Sequence, residues 1–155
     1  MTENTRLRSR STASGTPVQA AAALVGALFL LVGVLGFIPG ITTDRGSMAA
    51  MGHESHAQLL GLFQVSVLHN LVHVAFGAAG IALARTQSSA RAFLVGGGVV
   101  YLLLFLYGLV VETTSQANFV PLNAADDWLH LVLGAGMIAL GVILAKRPGT
   151  TRVVR

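Results

Sequence analysis

Cysteine is absent from this 155-residue chain, so neither disulfides nor thiolate metal sites are available to it. Charge is nearly as scarce. Asp, Glu, Lys and Arg together make up 10% of the residues, against about 25% in a soluble domain. With 54% hydrophobic residues and a mean hydropathy of +0.72, this is the composition of a membrane protein. Catalytic signatures are missing too. There is no Gly-rich phosphate loop, and "GGGVV" (96–100) lies inside an apolar run. "GHESHAQ" (52–58) places His53 and His56 two residues apart and has alanine at 57, so the metalloprotease pattern H-E-x-x-H is not met. Ser66 stands one turn before His69 and Asn70, but nothing marks it as an activated nucleophile. No motif supports an enzyme.

What is present is a set of four apolar stretches, at about 18–38, 59–84, 92–112 and 127–145. Each is near the 17–25 residues that cross a hydrocarbon core of about 30 Å as a helix. Helical structure is required there, because lipid leaves unpaired backbone amides nothing to bond. The expected fold is all-α: a membrane four-helix bundle over 18–147, flanked by basic tails at 1–17 and 148–155. The first tail, rich in Ser, Thr and Arg, reads as disordered. The first apolar stretch is longer than the 7–15 residues of a signal-peptide core.

The net charge of +4 and a pI near 10.7 invite a nucleic-acid reading, which the placement of the charges opposes. Arg6, Arg8 and Arg10 precede the first span, Arg85 and Arg91 separate the second from the third, and Lys146, Arg147, Arg152 and Arg155 follow the fourth. With four spans all nine fall on one side, the cytoplasmic side by the positive-inside rule. Asp44, Glu54, Glu112, Asp126 and Asp127 fall on the other, together with the one exception, Arg45. The expectation is a multi-pass protein of the plasma membrane with both termini cytoplasmic and basic tails against anionic head groups. A membrane-protein partner or a homo-oligomer is compatible with it, and nucleic acid is not expected.

Spans two and four resemble each other. "NLVHVAFGAAGIAL" (70–83) aligns without gaps to "DWLHLVLGAGMIAL" (127–140), matching His73 to His130 and Gly77 to Gly134. Two tandem helical hairpins in parallel repeat account for this, although spans one and three show no comparable match. Gly26 and Gly33, Gly134 and Gly141, and the series Gly77, Gly80 and Ala84 read as close-packing positions.

The polar residues of the outer half are the candidate site. His69 and His73 are four apart and share a helix face, as do Asp126 and His130. At 1.5 Å per residue, His69 and His130 each lie about 24 Å above a cytoplasmic basic residue, in the outer third. Glu112 ends span three, and Asn123 is placed to cap span four with Asp126 and Asp127 in its first turn.

Three pieces resemble a known family: "NAADDWLHLVLGAGMIALG" (123–141), "HNLVHVAFGAAGIALAR" (69–85) and "VGVLGFIPG" (32–40). They look like the domain of unknown function 4383 (DUF4383), small four-helix integral membrane proteins. The most specific matches are N-x-x-D-x-x-x-H at Asn123, Asp126 and His130, and N-x-x-H-x-x-x-G at Asn70, His73 and Gly77. The resemblance implies topology rather than chemistry, and it draws attention to Asn70, His73, Asp126 and His130.

Two functional readings follow. In the first, His69, Asn70, His73, Glu112, Asn123, Asp126 and His130 form a polar cluster that binds a small ligand, an ion or haem, or relays protons. In the second, the protein is a structural or partner-binding subunit, and the same residues are hydrogen bonds between helices. A channel or transporter is weaker, since few polar residues face a conceivable path.

Overall fold

Four residues with a short polar side chain stop the chain from continuing as loop and start a helix. Thr16, Ser66, Thr86 and Asn123 are the N-caps of α1 (Pro17–Leu35), α2 (Val67–Leu83), α3 (Gln87–Val110) and α4 (Ala124–Ile143) in the computed structural model, which describes residues 15–144. Ser66 Oγ accepts from the backbone N–H of His69 at 3.2 Å and Thr86 Oγ1 from that of Ser89 at 3.2 Å. Each bond satisfies an amide that the first turn leaves without a partner. The far ends of α1 and α2 are tied by side-chain bonds that the sequence does not announce. Gln19 Nε2, on α1, donates to the carbonyls of Ala84 (3.0 Å) and Arg85 (2.8 Å) at the end of α2. Thr42 Oγ1 donates to Leu35 and Gly36 O at the end of α1, both at 3.1 Å.

Three helices, α1, α3 and α4, are long and apolar enough to cross a membrane; α2, with 17 residues, is shorter. Leu24, Leu28 and Leu31 on α1 and Leu103, Leu106 and Leu109 on α3 are all more than half exposed. Rows of this kind are costly in water and at home against lipid. The second apolar stretch is not helical from residue 59 onward. Residues 58–64 instead complete a small antiparallel sheet, ordered β1 (Thr42–Thr43), β2 (Gln58–Leu59) and β3 (Phe63–Gln64). Leu60 and Gly61 turn the β2–β3 hairpin in the left-handed region (φ 56° and 69°), and α2 begins only after Ser66. Hydropathy does not separate an apolar hairpin from an apolar helix over so short a stretch. At the other end α3 starts at Gln87, before Arg91. The basic residues expected at 1–10 and 146–155 lie outside the described residues.

The helices pack mainly as two hairpins, α1 with α2 and α3 with α4, and each hairpin closes on glycine. A Cβ placed on Gly77 would stand 2.5 Å from Leu30 N and 2.6 Å from Gly26 O. One placed on Gly134 would stand 2.8 Å from the Leu102 side chain and 2.9 Å from Gly98 O. In both, the Cβ would meet the carbonyl of a glycine and the side chain of the leucine four residues after it. These contacts show that α1 and α3 are repeats, although their sequences align poorly. Gly26, Phe29, Leu30 and Gly36 occupy the places of Gly98, Tyr101, Leu102 and Gly108 at one constant offset. Burial follows: Val18 and Ala22 are fully buried, as are Ala90 and Leu94 at the equivalent places, and Phe29 and Tyr101 are each 5% exposed. Asn70 packs on Gly36 as Asp127 packs on Gly108. Only residues at the hairpin seam are held in common, while lipid-facing positions vary among apolar types. That is why the match escapes a residue-by-residue comparison.

The seam gives a prediction. Gly77→Ala and Gly134→Ala force backbone apart and are expected to lower unfolding stability in detergent by about 1–3 kcal/mol. Gly136→Ala, where a Cβ meets nothing within 4 Å, gains helix propensity and should be neutral or stabilising by up to about 1 kcal/mol. Equal losses at all three positions would contradict the close approach.

Candidate functional site

Because the glycines let each hairpin close, the large side chains one turn away meet between the hairpins. Phe29 of α1 and Tyr101 of α3 touch, with ring centroids 5.2 Å apart. His73 of α2 lies on Phe29 at 5.5 Å, and His130 of α4 lies edge-on to Tyr101 at 5.2 Å and 71°. His69 stacks on His73 at 4.5 Å and 18°. Five rings therefore run in a continuous line through the bundle, from His69 to His130. Phe29 and Tyr101 were not among the residues singled out from the sequence. Their signal is positional: they are aromatics at equivalent places in the two repeats.

The imidazoles are poorly satisfied. His73 Nδ1 lies 3.0 Å from the carbonyl oxygen of His69. A carbonyl only accepts, so His73 carries its proton on Nδ1 and presents a lone pair on Nε2. Nδ1 of His69 and Nδ1 of His130 are buried and have no partner, each at a cost of about 1–3 kcal/mol. Among the described residues no hydrogen bond joins any of these three rings to another helix.

Two cavities flank the ring line and share His69, His73, Tyr101 and His130 in their walls. The first, about 230 Å³, lies between α2 and α3, with Val72 and Leu104 in its walls and Phe119 and Val120 as its roof. The second, about 210 Å³, lies between α4 and α1. Leu129 and Val32 line it, Leu59, Leu60 and Phe63 of the sheet roof it, and Asp126 contributes a carboxylate. Each on its own falls below the ~300–1,000 Å³ usual for drug-sized ligands, and a more open groove of about 300 Å³ adjoins the first. No group of three or more His, Asp or Glu side chains among the described residues is placed to hold a metal ion.

The remaining candidates separate into distinct local roles. Asp126, 2% exposed, spends Oδ2 on two backbone amides, Asn123 N at 3.0 Å and Gln64 N at 3.1 Å. Asn123 caps α4 as expected: its Oδ1 accepts from Ala125 N (2.8 Å) and Asp126 N (3.1 Å), and its Nδ2 donates to Leu62 O at 2.8 Å. This pair pins the β2–β3 hairpin to the start of α4, which makes the second cavity's roof. Asn70 is buried, but on α1 at Gly36 with Nδ2 3.9 Å from Met48 Sδ, and not among the rings. Glu112 is exposed beyond the end of α3. Of the residues expected to cluster, then, the structure gathers His69, His73, His130 and Asp126, and sends Asn70, Glu112 and Asn123 elsewhere. His53 pairs with Glu54 at 3.6 Å in the connection between α1 and α2.

Four helices, three of them able to cross a membrane, with a buried imidazole line between two hairpins, define a small polytopic helical membrane protein. The chain belongs to the family described as domain of unknown function (DUF4383), whose sequence model matches residues 19–143. That span takes in both hairpins and all seven polar candidates. Neither the curated proteins nor the solved structures compared with the chain include a match.

The Asp126 junction gives a prediction. Asp126→Ala removes the acceptor of two backbone amides and is expected to lower stability by about 1–3 kcal/mol and to expose residues 58–64 to faster hydrogen exchange. Asp126→Asn keeps one acceptor oxygen and should lose less. Unchanged exchange in the β2–β3 hairpin of the Ala variant would show that the carboxylate does not hold the roof.

Proposed function

We propose that this is a multi-pass plasma-membrane protein that binds a small ligand at the imidazole line in the outer half of its helices. The observation that carries the reading is the pair of buried, unpartnered Nδ1 atoms on His69 and His130 beside cavities that both rings line. Unsatisfied buried polar atoms are rare enough to need a cause, and a bound hydrogen-bonding ligand supplies one. The structural alternative asks these histidines to bond between helices, and among the described residues the one hydrogen bond that the rings of His69, His73 and His130 make stays within α2.

Both termini are proposed to be cytoplasmic. Arg85 and Arg91 mark one end of the hairpins; Asp44, Glu54, Glu112, Asp126 and Asp127 lie at the other together with Arg45, an asymmetry in the sense that positive-inside orientation produces. The basic tails are proposed to rest on anionic head groups.

Orientation is directly measurable, because the native chain has no cysteine to interfere. Glu112→Cys should react with a membrane-impermeant maleimide in intact cells, and Ser88→Cys only after lysis; the reverse pattern would invert the topology. For the ligand, protein purified in mild detergent is extracted and analysed by mass spectrometry beside the His69→Leu/His130→Leu variant. A small molecule present in the first and lost from a still-helical variant supports the reading. Identical extracts, containing only bulk lipid, would overturn it.

A further inference from the structure

The two cavities are repeats of one another, and this identifies what they take. Each is built from the second helix of one hairpin, the first helix of the other hairpin, and a roof from that other hairpin's outer loop. Val72 and Leu104 of the first cavity stand where Leu129 and Val32 stand in the second. The two sites meet at His73 and His130, which are themselves repeat-equivalent, with Phe29 and Tyr101 between them.

We propose that the two cavities are paired subsites for single-ring hydroxylated aromatics, the chemistry of a phenol or of a hydroquinone head group, with one ring in each cavity and its hydroxyl on the shared imidazoles. This deepens the ligand-binding reading above and rests on it. Size sets the first guide: about 230 and 210 Å³ match one substituted ring in each. The walls set the second, being aliphatic and aromatic apart from the imidazoles, the Tyr101 hydroxyl, Ser66 and Asp126. Ser66 Oγ already serves the His69 amide and Asp126 Oδ2 serves two others. The imidazole nitrogens, with the Tyr101 hydroxyl and Asp126 Oδ1 beside them, are therefore the polar atoms left to meet a ligand. A hydroxyl both donates and accepts, so it satisfies Nδ1 of His69 or His130 in either tautomer, which a carbonyl or an ammonium does not. Aromatic rings already line both cavities, and a further ring stacks there in offset or edge-on geometry. Access is from lipid. A shallow groove formed by Leu103 and Tyr107 adjoins the first cavity and shares Val100, Leu104, Phe119 and Val120 with it, and Leu103 is 59% exposed. A lipophilic ring arrives by that side without crossing water.

The test uses the full chain in lipid nanodiscs with 4-fluorophenol as probe, followed by fluorine NMR against empty nanodiscs. Two bound resonances are expected. Leu104→Trp should remove one and Val32→Trp the other, each leaving the helical circular dichroism unchanged. 4-Fluorotoluene, the same shape without the hydroxyl, should bind at least tenfold more weakly. If Leu104→Trp unfolds, Val72→Trp blocks the same cavity from α2. Equal binding of fluorotoluene would overturn the hydroxylated class while leaving a ligand site in place. A single resonance lost in both variants would overturn the paired subsites. No probe signal above empty nanodiscs would overturn the whole inference, and the extraction experiment then decides separately whether another ligand occupies the rings. A hydroquinone bearing a ten-carbon tail, competing with fluorophenol more strongly than free hydroquinone, would identify the membrane-borne source over the soluble one.

Discussion

The approach of backbone to backbone at two glycine pairs governs this structure. At Gly26–Gly77 and again at Gly98–Gly134 there is no space for even one carbon on the facing surface. Lipid tails are as apolar as leucine, so helices in a membrane gain little by hiding leucine from them. They associate where small residues allow dense van der Waals contact. The glycines fix the separation and rotation of each hairpin. Rotation then dictates which side chains look inward one turn above: Phe29 and His73 in one hairpin, Tyr101 and His130 in the other. The leucines sent outward by the same rotation, Leu31 and Leu103 among them, are the exposed ones.

From this constraint the asymmetry between the two ends follows. At the end bearing Arg85 and Arg91 the described helices finish in local caps and in links to the end of α2, from Gln19 to the carbonyls of Ala84 and Arg85 and from Ser89 Oγ to that of Leu83. At the opposite end a three-stranded sheet, the Asn123–Asp126 capping pair and the 113–123 loop spread over the hairpins and close the cavities beneath them. The loop is itself braced, by Asn118 Nδ2 donating to Thr113 O at 2.9 Å and by the Tyr107 hydroxyl donating to Ala117 O. The end bearing the sheet is thus built as a roof, with the unpartnered Nδ1 atoms of His69 and His130 in the walls of the cavities beneath it.

Most of the architecture is legible in the amino-acid order, because lipid imposes length and hydropathy directly. The four helices, the Asn123 cap with Asp126 in its first turn, and the α2–α4 repeat follow from it. What is not legible has physical causes. Leu59–Val65 is as apolar as a helix, and only the left-handed turn at Leu60–Gly61 shows that it folds back as a hairpin. The α1–α3 repeat is carried by a few seam positions, since lipid accepts any apolar residue elsewhere. Asn70 is one residue from His69 and yet faces α1, because neighbouring positions on a helix point about 100° apart. Glu112 lies past the last turn of α3, where the helix no longer aims it at its neighbours.

The central claim is that His69 and His130 keep unbonded Nδ1 atoms inside the protein while His73 is bonded within its own helix. Nitrogen-15 NMR of histidine-labelled protein in nanodiscs, assigned through single His→Gln variants, reads this directly. The account predicts a hydrogen-bonded Nδ1–H for His73, and Nδ1 signals of His69 and His130 that lack a protein carbonyl partner. Nδ1–H signals from His69 and His130 scalar-coupled to carbonyls of α1 or α3 would contradict it, and would make the imidazoles ties between helices.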